Sequence, residues 1–90
     1  MESIELEVGA SIYDITFNNL FVITQVNSDE IECKCYDGYQ TTDQYFFEKA
    51  RIPLEGVYRY LNTNVWAYIQ PTFNQDELEK KILLIKLKHA

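Results

Sequence analysis

The sequence predicts a mainly β domain of the α+β class: a small antiparallel β-barrel or bent sheet with one C-terminal α-helix. Short apolar runs rich in β-branched and aromatic residues alternate with turn-forming Asn, Asp and Gly up to about residue 70. The apolar spacing then becomes helical over residues 75–88. A length of 90 residues, 47% of them hydrophobic, suits a single domain over residues 1–90, with the β part at about 5–70.

The clearest hairpin signal is the pair of apolar runs 20–26 and 31–36 on either side of the polar segment 27–30. With the turn centred on residues 28 and 29, one face of the hairpin is uniformly small and apolar. The pairs on that face are Val26 with Ile31, Thr24 with Cys33, and Val22 with Cys35. This pattern predicts a sheet with one buried side that includes both cysteines.

The segments around this hairpin predict the rest of a meander. Residues 4–13 alternate weakly around Gly9, which suits a strand with a bend or bulge. Asp37-Gly38 is a strong turn dipeptide, so the chain should reverse into a third strand within residues 39–47. Residues 50–54 contain a proline and predict a short connection or a single 3₁₀ turn.

A second hairpin is predicted from residues 57–61 and 65–69, which a three-residue loop separates. In that register four aromatic side chains share one face, and an arginine lies beside them. The candidate binding residues are therefore Tyr58, Arg59, Tyr60, Trp66 and Tyr68. Three interpretations stay open: an intramolecular core covered by the C-terminal helix, an interface between copies of the chain, and an exposed platform that stacks on peptides, sugars or bases.

Residues 75–88 predict the C-terminal helix. Asn74 is a good N-cap, and Glu77 follows three residues later as in a capping box. Phe73 could staple to Leu78. One helical face carries the apolar residues Leu78, Ile82 and Ile85. The helix is expected to have one broad apolar face that closes the core, and a final strand within residues 82–89 is the competing interpretation.

Several short motifs occur in one order over the first two-thirds of the chain: Val8-Gly9, Ile12-Tyr13-Asp14, FVITQV, DEIEC, YDG and Ile52-Pro53-Leu54. This order resembles that of SH3-like small β-barrels of the Tudor or KOW type over roughly residues 5–60. The resemblance implies a fold, and it implies that the loops around residues 17–19 and 36–39 flank a binding groove. No site residue is assigned from the resemblance, because the basic residues that nucleic-acid-binding members of the family use are scarce in this sequence. In character the chain is also similar to small bacterial, phage or plasmid proteins.

Cys33-Lys34-Cys35 is the one stretch whose residue types suggest a metal-binding or redox site. In a strand the two cysteines would share a face with their Cα atoms about 7 Å apart, which disfavours a disulfide between them. A zinc site would need two more ligands, and the only histidine is His89. Buried core sulfur is the preferred interpretation, with a metal or redox role as the alternative. No metal and no cofactor are expected.

The charge is uneven along the chain. The net charge is −6, with −7 in residues 1–74 and +1 in residues 75–90. The acidic body would repel a phosphate backbone, so nucleic acid is not expected as a partner. The chain begins without a secretory signal pattern, and no apolar run approaches the ~20 residues of a membrane span. A cytoplasmic location without membrane contact is therefore expected.

The composition favours a non-catalytic binding or protein-interaction module whose partner is another protein or a second copy of the chain. An enzyme is not expected, because no nucleophile has a plausible base and three glycines form no phosphate-binding loop. The alternative is a small acidic inhibitor or regulator that binds a basic surface of a host factor or nuclease. Its acidic residues would be Asp29, Glu30, Glu32, Asp37, Asp43, Glu48 and Glu55. A third possibility is nucleic-acid binding through the aromatic face.

Overall fold

A computed structural model describes residues 4–72 and 74–89 of the chain as one five-stranded antiparallel sheet with two helices. The strand order across the sheet is β4-β3-β2-β1-β5, so β4 and β5 are the two edges. The elements in chain order are β1 (Ser11–Asp14), β2 (Asn19–Val26), β3 (Glu30–Asp37), β4 (Phe46–Pro53), α1 (Leu54–Asn62), β5 (Trp66–Ile69) and α2 (Gln75–Lys88). The predicted α+β class with a C-terminal helix is confirmed. Within the described residues the sheet is open, and it does not close into a barrel.

The hairpin of β2 and β3 forms where it was predicted, but its register changes part-way. Val26 opposes Ile31, as expected from the turn. A β-bulge between Ile23 and Gln25 then shifts the pairing by one residue, so that Ile23 faces Cys33. Because a one-residue shift moves every side chain to the other face, the predicted partners of the cysteines were wrong. Phe21 and Ile23 share the buried face with the cysteines, and Val22 opposes Lys34 instead.

The third strand starts later than predicted. Residues 38–45 form a loop that begins at Gly38, whose φ of +82° favours glycine. The strand β4 runs through residues 50–53, so the connection expected there was wrong. Pro53 is tolerated because β4 is an edge strand and Pro53 is its last residue.

The second predicted hairpin was also wrong in its first half. Residues 57–61 belong to α1, and only Trp66–Ile69 is a strand, paired with β1. Aromatic and β-branched residues favoured a strand, but Val57 and Leu61 lie four residues apart on one helical face and both are buried. Burial against the sheet therefore overrides the local propensity.

The two helices cover opposite faces of the sheet. Val57 and Leu61 of α1 pack on the face that carries the cysteines. Leu78 and Ile82 of α2 pack on the other face. That second face is built from Tyr13, Leu20, Tyr36 and Ile69. The C-terminal helix thus closes the core, as predicted, but it does so on the face away from Trp66 and Tyr68, which belong with α1.

The predicted span and N-cap of α2 are confirmed. The helix is Gln75–Lys88, and the Asn74 side-chain oxygen accepts a hydrogen bond from the Glu77 backbone N–H at 2.8 Å. The apolar residues Leu78 and Ile82 are buried, and Ile85 is half-buried. The proposed staple falls on Phe73, which lies outside the described residues.

Replacing Asn74 by alanine is expected to lower the free energy of unfolding by about 1 kcal/mol, because the Glu77 N–H loses its acceptor. Urea denaturation followed by circular dichroism measures the change. Asn62→Ala is the matched control, because Asn62 is an exposed asparagine at the end of α1. The cap assignment is contradicted if both variants lie within about 0.5 kcal/mol of the unmodified protein.

Candidate functional site

The residues of the predicted aromatic face are split between α1 and β5. Tyr58, Arg59 and Tyr60 lie on α1, and Trp66 and Tyr68 lie on β5. The four rings therefore do not form a ladder on a hairpin. Tyr60 and Trp66 still meet, with ring centroids 4.8 Å apart, and Phe21 packs edge-on against Trp66 at 5.3 Å.

The other members of the predicted set have structural partners. The Tyr58 hydroxyl donates to the Ile4 carbonyl at 3.0 Å, and the Tyr68 hydroxyl donates to the Glu5 carbonyl at 3.2 Å. These two bonds hold the N-terminal segment against α1 and β5. Arg59 pairs with Glu55 of the same helix at 3.0 Å. Tyr60 is the one exposed residue among these four aromatic residues, with 43% of its surface accessible to solvent.

The two loops that the SH3-like resemblance singled out do lie side by side. The Gly38 N–H donates to the Asn18 carbonyl at 2.8 Å, which joins the β1–β2 turn to the loop after β3. The Tyr13 hydroxyl donates to the Asn18 side chain. Within the turn, Asp14 is buried, and its Oδ1 accepts from the backbone N–H groups of Thr16 and Phe17. These bonds fix the turn and leave the Phe17 ring exposed.

The two cysteines are core residues, as the preferred interpretation held. Cys33 and Cys35 are 1% and 2% exposed, and both are free thiols on the α1 side of the sheet. A hydrogen bond with the Cys33 thiol, together with burial, raises the pKa of Cys35. Among the described residues, no cluster of three or more His, Cys, Asp and Glu side chains could hold a metal ion.

The acidic residues proposed for an inhibitor surface do not gather on one face. Glu32 directly opposes Arg51, and the Arg51 Nε lies 3.7–3.8 Å from carboxylate oxygens of Glu30 and Glu32. Glu48 instead opposes Cys35, on the side of the sheet that α1 covers. The remaining acids of that set lie in turns, at a strand end or in α1. The geometry therefore gives the inhibitor alternative no single acidic patch.

A groove on the α2 side of the sheet is the feature that best fits a binding site. Helix α2 packs over Tyr13, Leu20, Tyr36 and Ile69, which come from β1, β2, β3 and β5. Beside the helix are two cavities of about 400 and 490 Å³. The first is lined mainly by residues of β1, β2, β3 and α2, and the second by residues of β2, β3 and β4. Thr24 and Lys34 line both cavities, so the two adjoin each other, and together they are called the groove.

Three of the four basic residues of the body line this groove. Lys34, Lys49 and Arg51 contribute to its wall. Lys34 lies directly opposite Lys49 across the β3–β4 pair. Within residues 4–72 and 74–89, neither lysine is part of an ion pair, whereas Arg51 faces Glu30 and Glu32. Like charges directly opposite in a sheet are destabilising by roughly 0.2–1 kcal/mol, so this arrangement has a cost that a bound anion would remove.

The far end of the groove is polar and held in place by hydrogen bonds. The Gln75 side chain of α2 donates to the Tyr39 carbonyl at 2.8 Å and accepts from the Thr41 hydroxyl at 3.0 Å. These bonds fasten the first turn of α2 to the loop after β3. The lining here is completed by polar and apolar residues together: Gly9, Ser11, Val22, Tyr36, Thr41, Thr72, Asn74, Gln75 and Leu78.

Sequence reasoning missed the groove, although one signal was present. Lys34 stands between two buried cysteines, and strand alternation alone places it on the opposite face. Lys49 and Arg51 are two residues apart, so they share a face with each other. The observed β3–β4 register is what places that face on the same side of the sheet as Lys34. The β3–β4 pairing also contains an irregularity, between Cys35 and Tyr36, and no feature of the sequence indicates it.

Comparison with known proteins adds no relative: no family model, no curated protein and no solved structure matches the chain. Among the described residues, no helix has the length and apolar content to cross a bilayer.

Proposed function

We propose that this chain is a non-catalytic protein-interaction module that binds an acidic, extended segment of another protein in the groove beside α2. The observation that carries the proposal is the cross-strand pair of Lys34 and Lys49, two like charges that face each other in the groove wall. A carboxylate placed between the two ammonium groups would relieve their repulsion and form charge-assisted hydrogen bonds.

The shape of the groove supports a peptide. Its basic end is lined by Lys34, Lys49 and Arg51, and its other end offers hydroxyl and amide groups beside the first turn of α2. Two adjoining cavities of about 400 and 490 Å³ suit several residues of an extended chain better than one small anion. The hydroxyl and amide groups can pair with peptide backbone as well as with side chains.

The charge distribution favours a protein segment over nucleic acid. The chain carries a net charge of −6, so a long phosphate backbone that extends beyond the groove would meet mostly acidic surface. A short acidic segment contacts the local cations, and among the described lining residues it meets one acidic side chain, Glu32, which faces Arg51. The proposal rests on the open sheet and does not require the SH3-like barrel that the resemblance implied.

The proposal is tested with a fluorescein-labelled peptide of about ten residues rich in glutamate, titrated at low salt and followed by fluorescence anisotropy. We expect Lys34→Gln and Lys49→Gln each to weaken binding roughly tenfold, a typical cost of losing one charge-assisted contact. Arg59→Gln is the matched control. It removes the same charge from α1, on the other side of the sheet, and should bind like the unmodified protein.

Stability provides a second readout that separates binding from misfolding. Because Lys49→Gln removes the cross-strand repulsion, we expect it to raise the free energy of unfolding by about 0.2–1 kcal/mol while it weakens peptide binding. Equal affinity in the Lys34, Lys49 and Arg59 variants would refute the groove as the site. An acidic inhibitor would instead bind a basic partner equally well in all three variants.

A further inference from the structure

Helix α2 carries a second apolar stripe on its outward side. Leu78 and Ile82 pack on the sheet, but Leu83, Leu84 and Leu87 are 52%, 61% and 73% exposed. These leucines follow Lys80 at helical spacing, so they form one stripe along the outer surface. The expectation of one apolar face on this helix was therefore wrong. Three exposed leucines in one stripe form a contiguous apolar patch, and such patches are candidates for interaction surfaces.

The charges of α2 are sorted by position along the helix. Asp76 and Glu77 lie in the first turn, and Lys86 and Lys88 lie in the last turn. This order favours the dipole of the helix itself. It also makes the helix complementary to a second copy that runs in the opposite direction, because each acidic end then lies beside a basic end. A parallel copy would bring like charges together.

We propose that α2 is a self-association surface on which two copies of the chain pair antiparallel about a two-fold axis near Leu83 and Leu84. Glu77 and Lys88 lie on the same flank of the stripe, and across that axis Glu77 of one copy is offset from Lys88 of the other by only two residues, about 3 Å along the helix. The two long side chains can span this offset, and the pair occurs twice by symmetry. Leu87 then covers the aliphatic stem of Lys80 of the second copy.

Electrostatics also select this surface for contact between copies. Two chains of net charge −6 repel each other through most of their surfaces, since residues 1–74 hold a net −7. Residues 75–90 hold a net +1, so the helix is where a second copy meets the least repulsion. The stripe is narrow compared with a standard interface of roughly 800 Å² per partner, so the dimer is weak, with a dissociation constant on the order of micromolar.

The groove and the helix stripe are separate surfaces, so this inference does not depend on the proposed peptide binding. The groove is lined by residues of β1 to β4 and by the first turn of α2, on the side of the helix that faces the sheet. The leucines point away from the sheet on the other side of α2.

Sedimentation equilibrium over a wide concentration range tests the dimer. We expect the unmodified chain to dimerise and Leu84→Asp to be monomeric at every concentration. Val8→Asp is the matched control, because Val8 is also 61% exposed but lies outside α2, and this variant should dimerise normally. A monomeric unmodified chain, or a dimer that survives Leu84→Asp, overturns the proposal. So does loss of dimerisation in the Val8 variant.

A charge exchange tests the antiparallel arrangement. Glu77→Lys and Lys88→Glu should each weaken the dimer roughly tenfold, because each creates two like-charge contacts. The double exchange restores the opposite-charge contacts and should restore the dimer, although it keeps both unfavourable charges at the helix ends. Circular dichroism checks that α2 stays helical. Failure of the double exchange to restore association overturns the antiparallel pairing. Monomeric chain is also mixed with zwitterionic and with anionic lipid vesicles, and binding to either in place of a second copy overturns it as well.

Discussion

Replacing Ile82 by alanine is expected to lower the free energy of unfolding by about 2–5 kcal/mol, the range for truncating a fully buried aliphatic side chain. Ile82 is completely buried, and it packs with Tyr13, Leu20 and Ile69 on the second face of the sheet. The loss combines the lost burial of three carbon atoms with the cavity left between α2 and the sheet. Total stability for a domain of this size is small, so the effect is a large fraction of it.

Urea denaturation of Ile82→Ala, followed by the fluorescence of Trp66, gives this number directly. The matched control is Leu84→Ala, which truncates a 61% exposed leucine on the same helix and should change stability by less than about 0.5 kcal/mol. Both variants are measured at a concentration where the chain is monomeric, so that association does not contribute. Similar losses in the two variants would contradict the docking of α2 on this face.

The local signals of α2 explain why its bounds could be predicted. The Asn74 cap lies within four residues of its partner, and the spacing of Leu78 and Ile82 depends on the helix alone. The face of the sheet that α2 would cover could not be predicted in the same way. It depends on where β5 pairs, and β5 joins β1 at the far edge of the sheet from β4.

The register of the β2–β3 hairpin could not be predicted from the local sequence. Its turn is visible as a polar segment between two apolar runs, but its register depends on one extra residue at the bulge. The Thr24 hydroxyl donates to the Glu32 carbonyl at 3.1 Å beside this bulge. A threonine in an apolar run is ordinary in a strand, so no local feature distinguishes a bulged pairing from a regular one.

The residues of α1 carried two conflicting signals. Val57, Tyr58 and Tyr60 are typical of strands, whereas Leu54, Val57 and Leu61 have helical spacing. The helix prevails because that spacing lets both Val57 and Leu61 reach the core of the cysteine-bearing face. The hairpin geometry predicted for the aromatic residues was wrong for the same reason, since it required Tyr58 and Tyr60 to stand on a strand.

Alkaline pH is expected to unfold the protein steeply, because the structure keeps three tyrosines protonated. Burial is the main cause that raises the pKa of Tyr13, Tyr36 and Tyr68, and nearby carboxylates such as Asp14 and Asp43 add to it. A tyrosine with a raised pKa stabilises the fold fully below its unfolded pKa of about 10, and this contribution is lost as the pH rises through the folded pKa. Each such tyrosine contributes a slope of up to about 1.4 kcal/mol per pH unit.

The Tyr13→Phe variant isolates one of these contributions. At pH 7 we expect it to be less stable than the unmodified protein by about 0.5–1.5 kcal/mol, because the hydrogen bond to Asn18 is lost. Above pH 10 the unmodified protein loses stability faster, so the difference should shrink and then reverse. Urea denaturation at several pH values between 7 and 11 measures both curves. The cysteine pair is present in both proteins and cancels in the difference. A buried phenol that stays neutral in the folded protein loses its stabilising effect as the same tyrosine ionises in the unfolded chain. A difference in the free energy of unfolding that stays constant from pH 7 to 11 would therefore contradict the role given to Tyr13.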